Sequence, residues 1–498
     1  MGNKVFKRKK AAFSEPDTTQ EDGLPTEDAP PPPGPAHHDP NACSIVLAMH
    51  TFHRRNESEL SFSKGDKMEI IDNQDPDWWL GTNIRTGEKG YIPVPYVALT
   101  SSLESQDWYF GKISRQEAEQ LLLSRYNDTG AYMIRASESG HGHTISIRAF
   151  NWATNRPEVK HFRVYGSVQE GFYISKKKSF STLNDLIEDY MHDNGTELSM
   201  LLKTPCVRFE PELPDISREC VDNWEVPREV LQWKKKIGQG SYGEVWLCSW
   251  NQTVDVAVKT MKKGSMLVQE FLEEAKIMKG LRHKNILVLY AVCTLEEPIL
   301  IITEYMNQSS LLEYLRDETR TVGEINDLIY ISYQVADAMA YLESLQLIHR
   351  DLAARNVLVK DGLHCKVSDF GLARIIDEEY NPTSNLKFPV KWTAPEALLK
   401  GTFTIKSDVW SFGILLTEIF SLGAVPYPGL SKHEVLTSIQ QGYRMSKPEF
   451  CPDEIYELMY CCWNITPEDR PTFSFIFNFL QNFDVQRVRG YEEARQLY

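Results

Sequence analysis

Three modules in series are what the sequence predicts, making a multidomain chain: a small all-β barrel, a compact α+β domain, and a larger α+β domain whose strands precede its helices. Length points there first, because 498 residues exceed what one hydrophobic core usually serves. Periodicity points there next. Short runs broken by turn signals give way to a mixed order, and then to helices with apolar residues every three or four positions. The third observation is a proline-bearing linker, with Pro205, Pro211 and Pro214, ahead of the last module.

Residues 1–42 hold few large apolar side chains and run from basic (Lys4, Lys7, Arg8, Lys9, Lys10) through acidic (Glu15, Asp17, Glu21, Asp22, Glu27, Asp28) to Pro30–Pro33. Such a segment buries too little surface to offset its ordering entropy, so a disordered arm is expected. Residues 43–101 alternate strand-like runs (Ser44–Met49, Lys67–Ile71, Trp78–Thr82, Gly90–Pro93) with turns, as a small barrel does. Residues 108–207 read helix (Gln116–Leu123), strands (Ala131–Ile134, Thr144–Ala149, Lys160–Val164), helix (Leu183–Met191). After the linker, 208–230, the third module spans 231–484, and a tail of 485–498 follows. Leu328, Ile331, Val335, Met339, Leu342 and Leu345 mark one buried helix face.

Composition excludes several classes. Hydrophobic residues are 42% and charged ones 25%, ordinary for globular material, and the net charge of −15 argues against bulk nucleic-acid binding. Nine scattered cysteines form no C-x-x-C pair, so a reducing, cytoplasmic setting is expected in place of a zinc site or disulfide framework. The most apolar stretch, Val409–Leu422, is too short to span a bilayer. The first ten residues carry five positive charges without a following apolar core, so no secretory signal is expected.

The chemistry concentrates after residue 231. Gly238-Gln239-Gly240-Ser241-Tyr242-Gly243-Glu244-Val245 lets backbone N–H groups close over phosphate oxygens where side chains would clash. A dinucleotide fingerprint would open a helix here. Instead Glu244–Ser249 is strand-like and leads to Val256-Ala257-Val258-Lys259, a strand lysine suited to anchoring phosphate. Glu274, fifteen residues on, is expected to hold that lysine as an ion pair. In His349-Arg350-Asp351-Leu352-Ala353-Ala354-Arg355-Asn356, Asp351 is placed to accept or orient a substrate hydroxyl proton and Asn356 to hold a metal ion. Thirteen residues past Asn356 stands Asp369-Phe370-Gly371, whose carboxylate would ligate magnesium on ATP phosphates, and Ala394-Pro395-Glu396 closes the segment.

These motifs, in this order, make residues 231–484 resemble a bilobal protein-tyrosine kinase domain, and residues 43–498 resemble the Src family and its Frk/Brk-like relatives. Tyrosine specificity is implied by Ala353 and Arg355, where serine/threonine kinases carry a lysine two residues after the catalytic aspartate, and by Phe388-Pro389-Val390-Lys391-Trp392. D-L-A-A-R-N departs from the Src-type D-L-R-A-A-N and matches the Frk/Brk-like branch. The resemblance makes Thr303 the gatekeeper and Glu304 and Met306 the hinge contacts to adenine, with Ser309 where relatives have glycine. It implies ATP with Mg²⁺ or Mn²⁺ as cofactors and tyrosine-containing proteins as substrates. Tyr380 corresponds to the autophosphorylated loop tyrosine, whose phosphate Arg350 and Arg374 would pair.

Trp108-Tyr-Phe-Gly-Lys and Ala131-Tyr-Met-Ile-Arg135 resemble an SH2 domain, and phosphate recognition is the natural reason for an arginine inside a strand. Arg115, Ser137 and Ser139 match the other phosphate contacts and His161 the pocket wall, while Ala136 and Arg163 replace a usual Glu and Lys. Residues 43–101 resemble an SH3 domain through Glu57, Glu59, Trp78-Trp79 and Gly90-Tyr91-Ile92-Pro93-Val94-Pro95-Tyr96. Trp78, Pro93 and Tyr96 would form the groove for proline-rich segments. Ala48-Met49-His50-Thr51-Phe52 replaces A-L-Y-D-Y, so both tyrosine hydroxyls are missing there. Tyr491, followed by Glu492 and Glu493, matches the regulatory tail tyrosine and would dock on Arg135, with Pro211–Pro214 as a second clasp on the barrel. Gly2 and the basic cluster suit myristate on an anionic membrane surface, although Phe6 stands where the acylation motif has Ser or Thr. Two functions remain open on sequence: an active kinase, or a scaffold whose kinase fold has lost catalysis. The full set Lys259, Glu274, Asp351, Asn356 and Asp369 favours the first.

Overall fold

The computed structural model describes residues 44–124, 126–136, 142–152, 156–167, 171–193, 198, 200–211, 213, 224–239, 243–261, 275–319, 325–370, 374–375 and 389–483. The chain divides into two units, Met1–Cys43 and Ser44–Tyr498, and every described residue lies in the second. Gly2, Ser137, Ser139, Gly240, Ser241, Glu274, Tyr380 and Tyr491 lie outside the described residues.

Strands β1 (Ile45–Ala48), β2 (Lys67–Asp72), β3 (Trp78–Asn83), β4 (Lys89–Pro93) and β5 (Val97–Leu99) form one antiparallel sheet in the order β4-β3-β2-β1-β5. Its inward side chains, among them Val46, Met68, Ile70 and Ile92, make a small core. The second module sets β6 (Tyr132–Ala136), β7 (His143–Asn151), β8 (Arg156–Ser167) and β9 (Gly171–Tyr173) between α1 (Arg115–Leu123) and α2 (Leu183–His192). Both helices start on capping boxes, Ser114 with Glu117 and Thr182 with Asp185, which satisfy the first free N–H groups.

In the third module β10 (Leu231–Gln239), β11 (Gly243–Trp250), β12 (Val254–Met261), β13 (Leu289–Cys293) and β14 (Leu300–Glu304) form a sheet ordered β10-β11-β12-β14-β13. The helical lobe follows with α3 (Leu311–Arg316), α4 (Ile325–Ser344), α5 (Pro395–Lys400), α6 (Ile405–Phe420), α7 (Lys432–Gln440), α8 (Asp453–Cys462) and α9 (Phe473–Gln481). Between α4 and α5 run the short pairs β15 (Leu347–Ile348) with β18 (Arg374–Ile375), and β16 (Val357–Lys360) with β17 (His364–Val367). The expected α4 face is buried from Leu328 to Leu342. Leu345 departs from it: the helix has ended at Ser344, and its side chain is 46% exposed. Val409–Leu422, expected to be too short for a membrane, is mostly helix α6, buried on nearly all sides in the lobe core. Among the described residues no helix is long and apolar enough to cross a membrane.

Candidate active site

The strand that follows the glycine turn decides where its lysine points. In the β11–β12 register Val245 faces Lys259 and Leu247 faces Ala257, so both functional strands are locked side by side. Lys259 Nζ reaches Asp369 Oδ1 at 3.4 Å, joining the strand expected to anchor phosphate to the expected metal ligand. That ammonium, outweighing burial, holds the Asp369 carboxyl below the usual range. Asp369 has φ of +64°, a left-handed conformation that costs a non-glycine residue about 1–3 kcal/mol and is kept only where the surroundings over-determine it. Phe370, next to it, is fully buried, with its ring 5.2 Å from His349.

The catalytic loop is fixed from below. Asp408 in α6 accepts the backbone N–H groups of His349 and Arg350 at 2.7 and 2.9 Å, while His349 Nε2 lies 3.0 Å from the Ser368 carbonyl. Asp351 then points its carboxylate at two donors. Asn356 Nδ2 donates to Asp351 Oδ2 at 2.8 Å and to its carbonyl at 2.7 Å, and Arg355 donates to Oδ1. Burial pushes the Asp351 carboxyl above the ordinary carboxylate value, against the pull of Arg355. Asp351, Arg355, Asn356, Asp369 and Lys259 are therefore brought together. Among the described residues no cluster of three or more His, Cys, Asp or Glu could hold a metal by itself. The amide oxygen of Asn356 and the carboxylate of Asp369 suit Mg²⁺, which keeps waters and shares its shell with phosphate.

At the hinge, Thr303 is buried and its hydroxyl donates to the Glu304 carbonyl at 3.2 Å. Glu304 is held from two sides: its carboxylate accepts the Val288 N–H at 2.8 Å and Lys366 Nζ at 2.7 Å, with the two side chains 6% and 1% exposed. Sequence reading missed Lys366. The sequence carried no signal for it: in His364-Cys365-Lys366-Val367 alternation puts Lys366 on the face opposite Cys365 and Val367, and the strand is buried on both faces. Glu396 accepts a fork of two bonds from the buried Arg470, at 2.6 and 2.8 Å.

In the second module Arg135 rises from β6, 7% exposed, and Arg115 donates to Glu119 at 2.8 Å. His161 is tied at both nitrogens, to Glu119 at 3.0 Å and to Ser146 at 2.8 Å, which fixes its ring. Other residues of α1 meet the third module: Gln116 donates to the Leu480 carbonyl of α9 at 2.6 Å, and Lys284, ahead of β13, donates to Glu117 at 2.8 Å. Burial opposes charge at Glu117, yet Lys284 and the Ser114 backbone hold its carboxyl below the ordinary value. The lysine is raised in turn, because the attraction of Glu117 and Asp337 outweighs its own burial.

The barrel groove is covered. Trp78 is 1% exposed and Tyr96 2%, and Leu213 of the linker is packed in the same core cluster. Tyr96 Oη donates to Glu210 at 2.7 Å. The linker therefore occupies the surface that the sequence assigned to proline-rich ligands.

Comparison with known proteins agrees with this arrangement. Residues 231–480 match the family described as protein tyrosine and serine/threonine kinase, residues 108–190 the SH2 domain, and residues 47–94 the SH3 domain. The chain is similar to tyrosine-protein kinase Src64B of Drosophila melanogaster, with 45% identity over 456 residues, covering 91% of this chain and 82% of that protein.

Proposed function

The chain belongs to the Src family of tyrosine-protein kinases, and from that premise we propose how its residues divide the work. It is a non-receptor protein-tyrosine kinase carrying SH3, SH2 and kinase domains in that order, and such a kinase domain uses ATP and a divalent cation. Asp351 accepts or orients the proton of the substrate tyrosine hydroxyl, Arg355 holds that carboxylate, and Lys259 anchors phosphate oxygens. Gly238, Gln239, Gly240, Ser241, Gly243, Val245 and Ala257 enclose the nucleotide, Glu274 steadies Lys259, and Thr303, Glu304 and Met306 take the adenine side. Mg²⁺ held by Asn356 and Asp369 would neutralise charge on the transferred phosphoryl group. The observation carrying this reading is the joining of Lys259, Asp369, Asn356 and Asp351 in one site.

Regulation follows from the other modules. Phosphotyrosine docks on Arg135, Arg115, Ser137 and Ser139 beside His161, and phosphorylated Tyr491 of the same chain is the tethered ligand. The α1 contact with the helical lobe, through Gln116 and the Leu480 carbonyl, supports a closed resting arrangement. The SH3 groove of Trp78, Pro93 and Tyr96 takes the linker as its internal ligand and yields it to proline-rich segments. Phosphorylated Tyr380 orders the activation segment. The protein works in the cytoplasm, with Gly2 and its basic cluster as a conditional attachment to anionic membrane. Tyr491→Phe and Arg135→Lys are each expected to raise basal activity, and together to add little, since both break one contact. Unchanged activity in protein shown by mass spectrometry to carry phosphate on Tyr491 would refute tail docking.

A further inference from the structure

We infer that Glu418 is a positioning residue for phosphotransfer, registering the catalytic loop against the substrate platform through a chain that ends on Asp351. The inference rests on the reading of Asp351 as the group that acts on the substrate hydroxyl.

Glu418 stands in the last turn of α6 and is 1% exposed. Both circumstances disfavour a carboxylate. Burial strips its water, and the C-terminal end of a helix carries the negative pole of the backbone dipoles. Burial accordingly pushes its carboxyl above the ordinary value, against the pull of Trp392, Ala354 and Arg355. An apolar side chain would serve the core at least as well. What Glu418 adds is a bond pattern that no apolar residue has. Its Oε2 accepts the Ala354 N–H of the catalytic loop at 2.9 Å and the Trp392 indole N–H at 2.9 Å.

Those two donors belong to different functional segments, 38 positions apart in the chain. Trp392 sits in the platform that follows Pro389, and its backbone carbonyl accepts the Ser411 hydroxyl at 2.9 Å, so α6 grips it twice. The indole face then carries Arg355, whose guanidinium carbon lies 4.7 Å from the ring centroid. Arg355 in turn donates to Asp351 Oδ1. A single carboxylate oxygen thus sets the spacing between platform and loop, and the cation–π contact passes that spacing to the carboxylate that faces the substrate. The tyrosine-type placement of arginine at 355 is what completes the chain. A lysine at 353 would not lie over Trp392.

The test is steady-state kinetics of the full-length chain on a tyrosine-containing peptide with Mg·ATP, together with nucleotide affinity and thermal unfolding. Glu418→Ala is expected to lower kcat on the order of 10²-fold, as misplacement of a reacting group by about 1 Å does, while KM for ATP stays put. Glu418→Gln keeps an acceptor oxygen and is expected to remain within about threefold of the parent, because it preserves both N–H partners. Trp392→Phe keeps a ring beneath Arg355 but removes the indole N–H, and about a tenfold loss in kcat is expected from one broken hydrogen bond at a positioning residue. Should Glu418→Ala fail to fold, Trp392→Phe decides the matter alone. Full kcat in folded Trp392→Phe, a glutamine variant no better than alanine, or a loss confined to KM for ATP each overturns the proposal. Asp351→Asn measured alongside separates the two readings. If it is inactive while the Glu418 and Trp392 variants are normal, only the positioning role fails; if it turns over normally, the role of Asp351 fails and the positioning role with it.

Discussion

Asp351→Asn is expected to lose phosphotransfer to tyrosine peptides by about 10²–10⁴-fold, the range a positioned base contributes. Nucleotide affinity should stay close to that of the parent, because Asp351 faces the hydroxyl nucleophile and Lys259 and Asp369 face the phosphates. Asparagine is nearly isosteric: its one oxygen keeps one of the two bonds that Arg355 and Asn356 now make to separate carboxylate oxygens, and the Asn356 bond to the carbonyl of residue 351 is untouched. The loss is therefore chemical and not a collapse of the loop. The pH profile supplies a second check. With its value raised by burial, Asp351 is protonated at pH values where an exposed aspartate, near 3.9, is already ionised. The protonated form cannot take a proton, so the acid limb of kcat/KM should lie higher than an exposed aspartate would place it and vanish in the asparagine variant. Near-normal turnover in Asp351→Asn, or an acid limb that survives the substitution, would remove Asp351 from the role.

Lys366→Met is expected to destabilise the third module strongly. Lys366 and Glu304 form an ion pair whose side chains are 1% and 6% exposed. Removing one partner leaves the other charge buried, which costs about 3–5 kcal/mol. For a domain of this size each kcal/mol lowers the unfolding midpoint by about 2–4 °C, so a drop of roughly 6–20 °C is expected. Glu304→Gln added to Lys366→Met should recover most of it, since glutamine neutralises the orphaned charge and can still accept the Val288 N–H. An unfolding midpoint for Lys366→Met within about 2 °C of the parent, less than 1 kcal/mol by the same scale, would mean that the pair is not desolvated as described.

Much of the fold was legible because local signals agreed with one another. The periodic apolar face of α4, the helical pattern of α1 and the motif order from Gly238 to Glu396 each depend on residues close in sequence. What escaped depended on contacts over long separations. Lys366 and Glu304 are 62 residues apart, and Glu418 meets Ala354 across 64. Sequence periodicity carries no signal for such pairs. Leu345 fits the apolar repeat of α4 but falls past the helix end, where a continuing pattern no longer implies a continuing face. The barrel groove illustrates another limit. Trp78, Pro93 and Tyr96 were readable as ligand-binding residues, but not that Leu213 packs in the cluster of Trp78 and Tyr96 and Glu210 accepts from Tyr96, both returning from the linker more than a hundred residues later.

The intact mass of the full-length chain before and after incubation with Mg·ATP, with phosphosites mapped, tests most directly whether this fold catalyses or merely scaffolds. The expected result is a gain of whole phosphoryl groups located on tyrosine, with Tyr380 among them, and no gain in Asp351→Asn under the same conditions. No gain in the parent chain despite bound nucleotide, or phosphate found only on serine and threonine, would contradict it.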